Sequence, residues 1–219
     1  PGFAHKGSGG LRMLLDSFSE INRRKRVKYD PQWKIVDCAG FGVPQHRNRL
    51  FLVAERAGAK FEFPSARFGS ATSPFRTTWD ALCNVRSEFA GSESLDVGGR
   101  WSDLLPSIPE GKNYLWHTPN GGGLSLFGWR TRYWTFLLKL AKALPAWTLQ
   151  ANPGPSDGPF HWDDKRLSVP EMARLQTLPD DLEILGSQHQ QRKQVGNAVP
   201  SRMAEVLGRE IRRPLCGDP

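Results

Sequence analysis

Three segments of this 219-residue chain carry residue types at spacings that could do chemistry. The first is Gly42-Val43-Pro44-Gln45-His46-Arg47-Asn48-Arg49. In an extended chain alternate residues share a face, so Gln45, Arg47 and Arg49 point the same way if a strand begins there. Three donor-rich side chains on one face suit carbonyl and phosphate oxygens, although a charged strand edge has the same pattern. The second runs from Lys165 to Asp180 and contains Ser168-Val169-Pro170-Glu171, a capping box with proline tolerated in the first turn. It reads equally as a capped helix with one apolar face. The third is Gln194-Val195-Gly196-Asn197-Ala198-Val199-Pro200. A Gly-Asn pair before a proline-started helix predicts free amides at a helix N-terminus, able to hold a carboxylate, or else a simple turn.

The elements that must position these segments follow from periodicity. Leu11, Leu14, Leu15, Phe18 and Ile21 fall at helical spacing over residues 10–24, and the basic run from Arg23 to Lys28 suits that helix's C-terminal end. Lys34–Ala39 reads as a strand, Gly40, Gly42 and Pro44 as a turn, and the nearly all-apolar Leu50–Ala54 as a strand buried on both faces. Helix, strand, turn, strand resembles the closing edge of an α/β sheet. Residues 55–130 are irregular, with a short helix predicted near Thr78–Val85 and a flexible tip at Gly121–Gly123. Periodicity then predicts a helix from Thr131 to Leu144, a strand over Ala146–Gln150 and a long loop over 152–165. Helices follow, one up to Gln176, one near Gln188–Gln194 and one over Pro200–Arg212 with Met203, Val206, Leu207 and Ile211 inward.

Composition bounds the function. The net charge is +8 and the pI about 9.7, a balance that favours a polyanionic partner. Residues 111–150 hold five basic residues, no acidic one and eight aromatics, a mixture that suits phosphates and bases, although single rings more often belong to a core. No apolar run reaches the length of a membrane span, and Cys38, Cys83 and Cys216 are too few and too scattered for a disulfide framework or a zinc knuckle. The expected setting is cytoplasmic, without membrane or metal.

Taken together, the three segments resemble the C-terminal part of the DNA (cytosine-5) methyltransferases. Gln45-x-Arg47-x-Arg49 matches that family's QxRxR motif, Arg174-Leu175-Gln176 its ARLQ block, and Gly196-Asn197-Ala198-Val199 its final GNxV motif, in the family's order. The resemblance implies an α/β fold, the C-terminal portion of a doubly wound S-adenosylmethionine-dependent methyltransferase, plus a small, loop-rich target-recognition domain. Residues 1–75 are then the end of the catalytic domain, 76–165 the target-recognition domain and 166–219 a helical return to the catalytic domain. It further implies double-stranded DNA as substrate, a flipped cytosine attacked at C6 by a cysteine thiolate and methylated at C5, and a restriction–modification setting. Gln45, Arg47 and Arg49 take the catalytic positions, with Arg49 toward the cytosine and Arg47 toward the active-site loop or phosphate. Asn197 and Ala198 are expected along one wall of the cofactor pocket. Arg130, Arg132, Lys165 and Arg166 are the expected DNA contacts, since arginine against guanine is the commonest specific pairing.

The sequence also departs from the family. It contains no Pro-Cys, no Glu-Asn-Val and no glycine-rich cofactor loop, so it is expected to start after the catalytic glutamate. None of its cysteines is expected to be the nucleophile. Lys165 stands where the family has arginine, Pro170 replaces arginine, Leu178 replaces phenylalanine and Gly40 replaces aspartate. Three functions compete. One is half a methyltransferase that works with an N-terminal half, either a separate chain or a missing segment. The others are a non-catalytic DNA-binding module and a truncated remnant.

Overall fold

A computed structural model describes residues 9–85, 94–129 and 131–216. Helix α1, Gly10–Lys25, forms as its periodicity predicts and ends at Arg26 in a left-handed conformation. Strand β1, Gln32–Asp37, pairs antiparallel with β2, Asn48–Val53, placing Val36 opposite Arg49. Asp37 closes the connection between them. One carboxylate oxygen accepts from the amides of Ala39 and Arg47, and the other lies 2.8 Å from His46 Nδ1. The apolar residues of β2 are half-buried rather than enclosed on both faces, because this two-stranded sheet is covered on one side only. Trp33 and Ile35 are 45% and 42% exposed, and α1 has no fully buried residue.

The predicted helix over 131–144 is absent. Only Thr131–Tyr133 makes a single 3₁₀ turn, and Leu137 sits at φ 51°. The cause is burial on all sides: Leu137, Leu138, Lys139 and Leu140 are consecutive and all buried, which a one-faced helix cannot achieve. Their backbone groups instead pair with distant chain. Leu137 donates to Ser156 O, Lys139 to Lys112 O and Leu140 to Phe160 O. The Lys139 ammonium enters this layer paired with Asp164 at 2.5 Å. Gly121–Gly123 are not a free tip either. A β-carbon there would lie 2.2 Å from the Trp116 carbonyl at Gly121 and 2.1 Å from the Trp116 ring at Gly122, so the three glycines wrap that indole.

The remaining helices follow their caps. Helix α2, Thr78–Leu82, carries a capping box from Thr77 and Asp80. Helix α3, Val169–Leu175, has the predicted box from Ser168 and Glu171, with Pro170 in its first turn. Helix α4 spans Gln188–Asn197 and α5 spans Ser201–Cys216. In α5, Met203 and Leu207 are buried as predicted, whereas Ile211 is 42% exposed, one turn beyond the apolar layer.

Three apolar clusters result. Val36, Cys38, Phe41 and Val43 pack with Met203 and Leu207, so the last helix returns to the first segment. Leu105, Ile108, Tyr114, Leu115, Leu137 and Phe160 form a second core drawn entirely from the 76–165 region. Leu82, Leu140, Ala146, Leu149, Leu167, Met172, Leu175 and Val195 form a third that joins that region to α3 and α4.

His161 and Glu171 are buried beside this third cluster, with His161 Nε2 3.8 Å from Glu171 Oε1 and Lys165 Nζ 2.7 Å from the same oxygen. Burial lowers the affinity of the His161 imidazole for its proton, against the opposing pull of Glu171. Glu171 is itself held below the usual carboxylate range, because its bonds from Lys165 and the Ser168 amide outweigh its own burial. In both cases the unfolded chain binds a proton more readily than the folded one, so stability falls as pH falls. Urea midpoints should therefore decline below the ordinary histidine range of about 6.5 and again through the carboxylate range. His161→Gln should remove the first decline. Midpoints that rise on acidification would contradict this burial.

Candidate functional site

Arg47 joins the three motifs. Its side chain is fully buried. Nη1 donates to Gln45 Oε1 and to Leu149 O, both at 3.2 Å, and Nη2 donates to Gly196 O at 2.5 Å and Ala198 O at 3.1 Å. All four acceptors are uncharged carbonyl oxygens. Two of them belong to the C-terminal end of α4, where helix carbonyls lack partners and the dipole favours a cation. Gln45, also fully buried, donates from Nε2 to Leu175 O at 3.2 Å and accepts from the Leu149 amide at 3.1 Å. Gln176 donates to Val195 O at 2.9 Å. The QxRxR, ARLQ and GNxV segments thus meet around one guanidinium and two amides.

The local sequence accounts for this meeting. Val43, Gln45 and Arg47 alternate along an extended segment and all three are buried, so the face that carries the polar groups is a core face. Residues 44–46 pair in parallel with Ala146: the His46 amide donates to Ala146 O and the Ala146 amide to Pro44 O. The predicted strand over Ala146–Gln150 is thereby reduced to one bridge at Ala146. Gly196 is required by proximity, since a β-carbon there would lie 2.5 Å from Ala151 Cα and 2.7 Å from Gln150 O.

Burial lowers the Arg47 guanidinium to about 10, assisted by the like charge of Arg49, so it stays charged at neutral pH. Arg47 Nε and Gln176 Oε1 are buried and find no partner among the described residues, a desolvation cost carried by the cluster. In this structure the terminal donors of Arg47 are engaged by internal carbonyls. Gln45 is likewise enclosed. Arg49 differs. It is half-buried on β2, its Nη1 donates to the carbonyl of Asn48, and burial lowers its proton affinity.

The other expected site residues fall in distinct places. Asn197 is exposed at the end of α4 and Ala198 is half-buried, between and beside the carbonyls that Arg47 holds. The N-terminus of α5 offers fewer free amides than expected, because the Ser201 amide donates to Gln176 O and the Arg202 amide to Thr177 Oγ1. Thr177 holds a left-handed conformation at φ 55° to do so, a role with no mark in the sequence. Arg132 is exposed and lies over the Tyr133 ring, and Arg130 lies outside the described residues. Lys165 and Arg166 each have internal partners. Lys165 pairs with Glu171, and Arg166 Nη2 donates to Pro155 O at 2.6 Å and Gly154 O at 3.4 Å. The fully buried Cys38 thiol is pushed up to about 11, first by burial and then by Asp37, and is unsuited to nucleophilic attack.

Two outcomes follow. Arg47→Ala leaves the Leu149, Gly196 and Ala198 carbonyls unpaired and should cost at least about 3 kcal/mol in urea unfolding, whereas Arg49→Ala should cost under about 1 kcal/mol. Equal, small effects would contradict the cluster. Under native conditions a thiol reagent mapped by mass spectrometry should label the exposed Cys83 and leave Cys38 unmodified until the chain unfolds.

Comparison with known proteins locates this geometry. The chain is 36% identical over 211 residues to the type II methyltransferase M.SacI of Streptomyces achromogenes, covering 87% of this chain and 54% of that protein. It is 30% identical over 197 residues to M.NgoFVII of Neisseria gonorrhoeae, covering 87% and 51%. It therefore spans about half the length of these relatives. Among solved structures it superimposes on a candidate DNA modification methyltransferase from an E. coli prophage, with TM-score 0.59 and 18% identity, covering 98% of this chain and 67% of that one. It also superimposes on the S. pombe Dnmt2 methyltransferase, with TM-score 0.58 and 13% identity, covering 92% and 62%. Both likenesses identify an α/β methyltransferase fold. The family model for C-5 cytosine-specific DNA methylases matches residues 10–213, and the chain belongs to that family.

Proposed function

We propose that this chain is the C-terminal half of a DNA (cytosine-5) methyltransferase of a restriction–modification system. It methylates C5 of a flipped cytosine when joined to an N-terminal half that carries the cysteine nucleophile, the glutamate and the cofactor loop. The observation that carries the reading is the convergence of three motifs on Arg47, which fixes Arg49 and Asn197 relative to one another. The open faces support the second half: α1 buries none of its side chains fully, and Trp33 and Ile35 of β1 stand exposed, as expected of elements that another sheet covers.

Within this reading each residue has a physical task. Arg49 is charged and half-exposed and donates to a backbone carbonyl rather than a carboxylate, so it faces the cytosine ring or its phosphate as a hydrogen-bond donor. Gln45 and Arg47 are positioning residues that hold β2 and the α4–α5 junction together. At that junction the exposed Asn197 amide and the 45% exposed Val199 offer one polar and one apolar surface, which fits a single wall of a pocket for S-adenosylmethionine. That group supplies the methyl when bound, and the remaining walls belong to the N-terminal half. Residues 76–165, with their own core, form the target-recognition domain, and Arg132 and Arg130 are its candidate base contacts.

The test is co-expression with an N-terminal half that carries Pro-Cys and Glu-Asn-Val, followed by bisulfite mapping of host DNA. Sequence-specific 5-methylcytosine should arise only when both halves are present, and Arg49→Ala should reduce it at least a hundredfold with little loss of solubility. Absence of methylation with every cognate half, or wild-type methylation by Arg49→Ala, would refute the assignment.

A further inference from the structure

Four of the eight aromatic rings of residues 111–150 have core work: Tyr114 belongs to the recognition-region core, and Trp116, Phe127 and Phe136 pack against it. Trp134 and Trp147 do not. They are 41% and 39% exposed, and their rings meet edge to face with centroids 5.3 Å apart. Trp147 in turn approaches His46 at 6.3 Å, and His46 meets Phe75 at 5.2 Å. His46 lies between Gln45 and Arg47 in the first motif, so this aromatic row links the recognition region to that segment.

The row is held firmly for a surface feature. Asp37 fixes the His46 ring, Thr148 Oγ1 donates to His46 O at 2.7 Å, and Asn113 Nδ2 donates to Trp134 O at 2.8 Å. A preorganised pair of half-open indoles loses little freedom on binding, and flat rings with one polar edge suit nucleobases. The surrounding stretch from 111 to 150 has five basic residues and no acidic one, and the exposed Arg132 lies two residues from Trp134. That charge favours a polyanion over a second copy of this basic chain.

We propose that Trp134 and Trp147 form a DNA-contacting platform that packs against a base loosened from the duplex stack. The inference rests on the DNA-methyltransferase reading and deepens it. Base flipping breaks the stacking of the extruded base on its neighbours, and the platform offers one of them a new stacking partner.

Fluorescence anisotropy of the whole chain with two labelled duplexes tests this, one fully paired and one with a single unpaired base. The wild type should prefer the unpaired duplex. Trp134→Ala and Trp147→Ala should each weaken binding about tenfold and abolish the preference, in line with the loss of a base–aromatic stack. Trp134→Phe and Trp147→Phe should retain most of it, and circular dichroism should verify the fold of all four. Alanine variants that bind both duplexes like the wild type overturn the platform and leave the methyltransferase reading intact. Failure of the wild type to bind either duplex also overturns the platform, and leaves the methyltransferase reading to the co-expression test. Concentration-dependent self-association that Trp134→Ala abolishes would reassign the pair to a contact between copies.

Discussion

One buried guanidinium organises this structure. Arg47 is a cation enclosed by carbonyls, and it sits where α4 presents its unpaired C-terminal groups. In water such a contact would contribute little. Inside the protein, where both sides are desolvated, neither can be removed without stranding the other. The arrangement therefore requires apolar residues that exclude water, and Val43, Leu149, Leu175 and Val195 are buried around it. It also requires a glycine at 196, because α4 must approach the backbone of residues 150–151 too closely for a side chain.

The consequences reach outward from there. The like charge of Arg49 adds to burial in lowering the proton affinity of Arg47, and of the two arginines only Arg47 is fully buried, Arg49 being half-buried. The core of the 76–165 region is made from its own residues, while a separate cluster ties it to α3 and α4. The apolar faces of α1 and β1 stay partly open: α1 has no fully buried residue, and Trp33 and Ile35 are exposed.

Much of this was legible in the sequence where local chemistry decides the outcome. The box at Ser168–Glu171 and the helices α1, α2 and α5 follow from caps and periodicity, and the three motifs identify the family by their order. Residues 131–144 misled because Tyr133, Phe136, Leu137, Leu140 and Leu144 fall at helical spacing, while distant partners at 112, 156 and 160 claim their backbone groups. Arg47 is a different case. Charge argues for the surface, but its alternation with Val43 places it on the inward face, and that parity was the available signal. The roles of Thr177 and of Gly121–Gly123 depend on tertiary contacts alone.

Amide hydrogen exchange tests the organising role of Arg47 most directly. If its guanidinium joins the segments, the amides of residues 45–49, the Leu149 amide and those of 195–203 should exchange at a common rate in the wild type and lose protection together in Arg47→Ala. Protection of 195–203 that is independent of 45–49, or unchanged by that substitution, would show that the α4–α5 junction is held by something else.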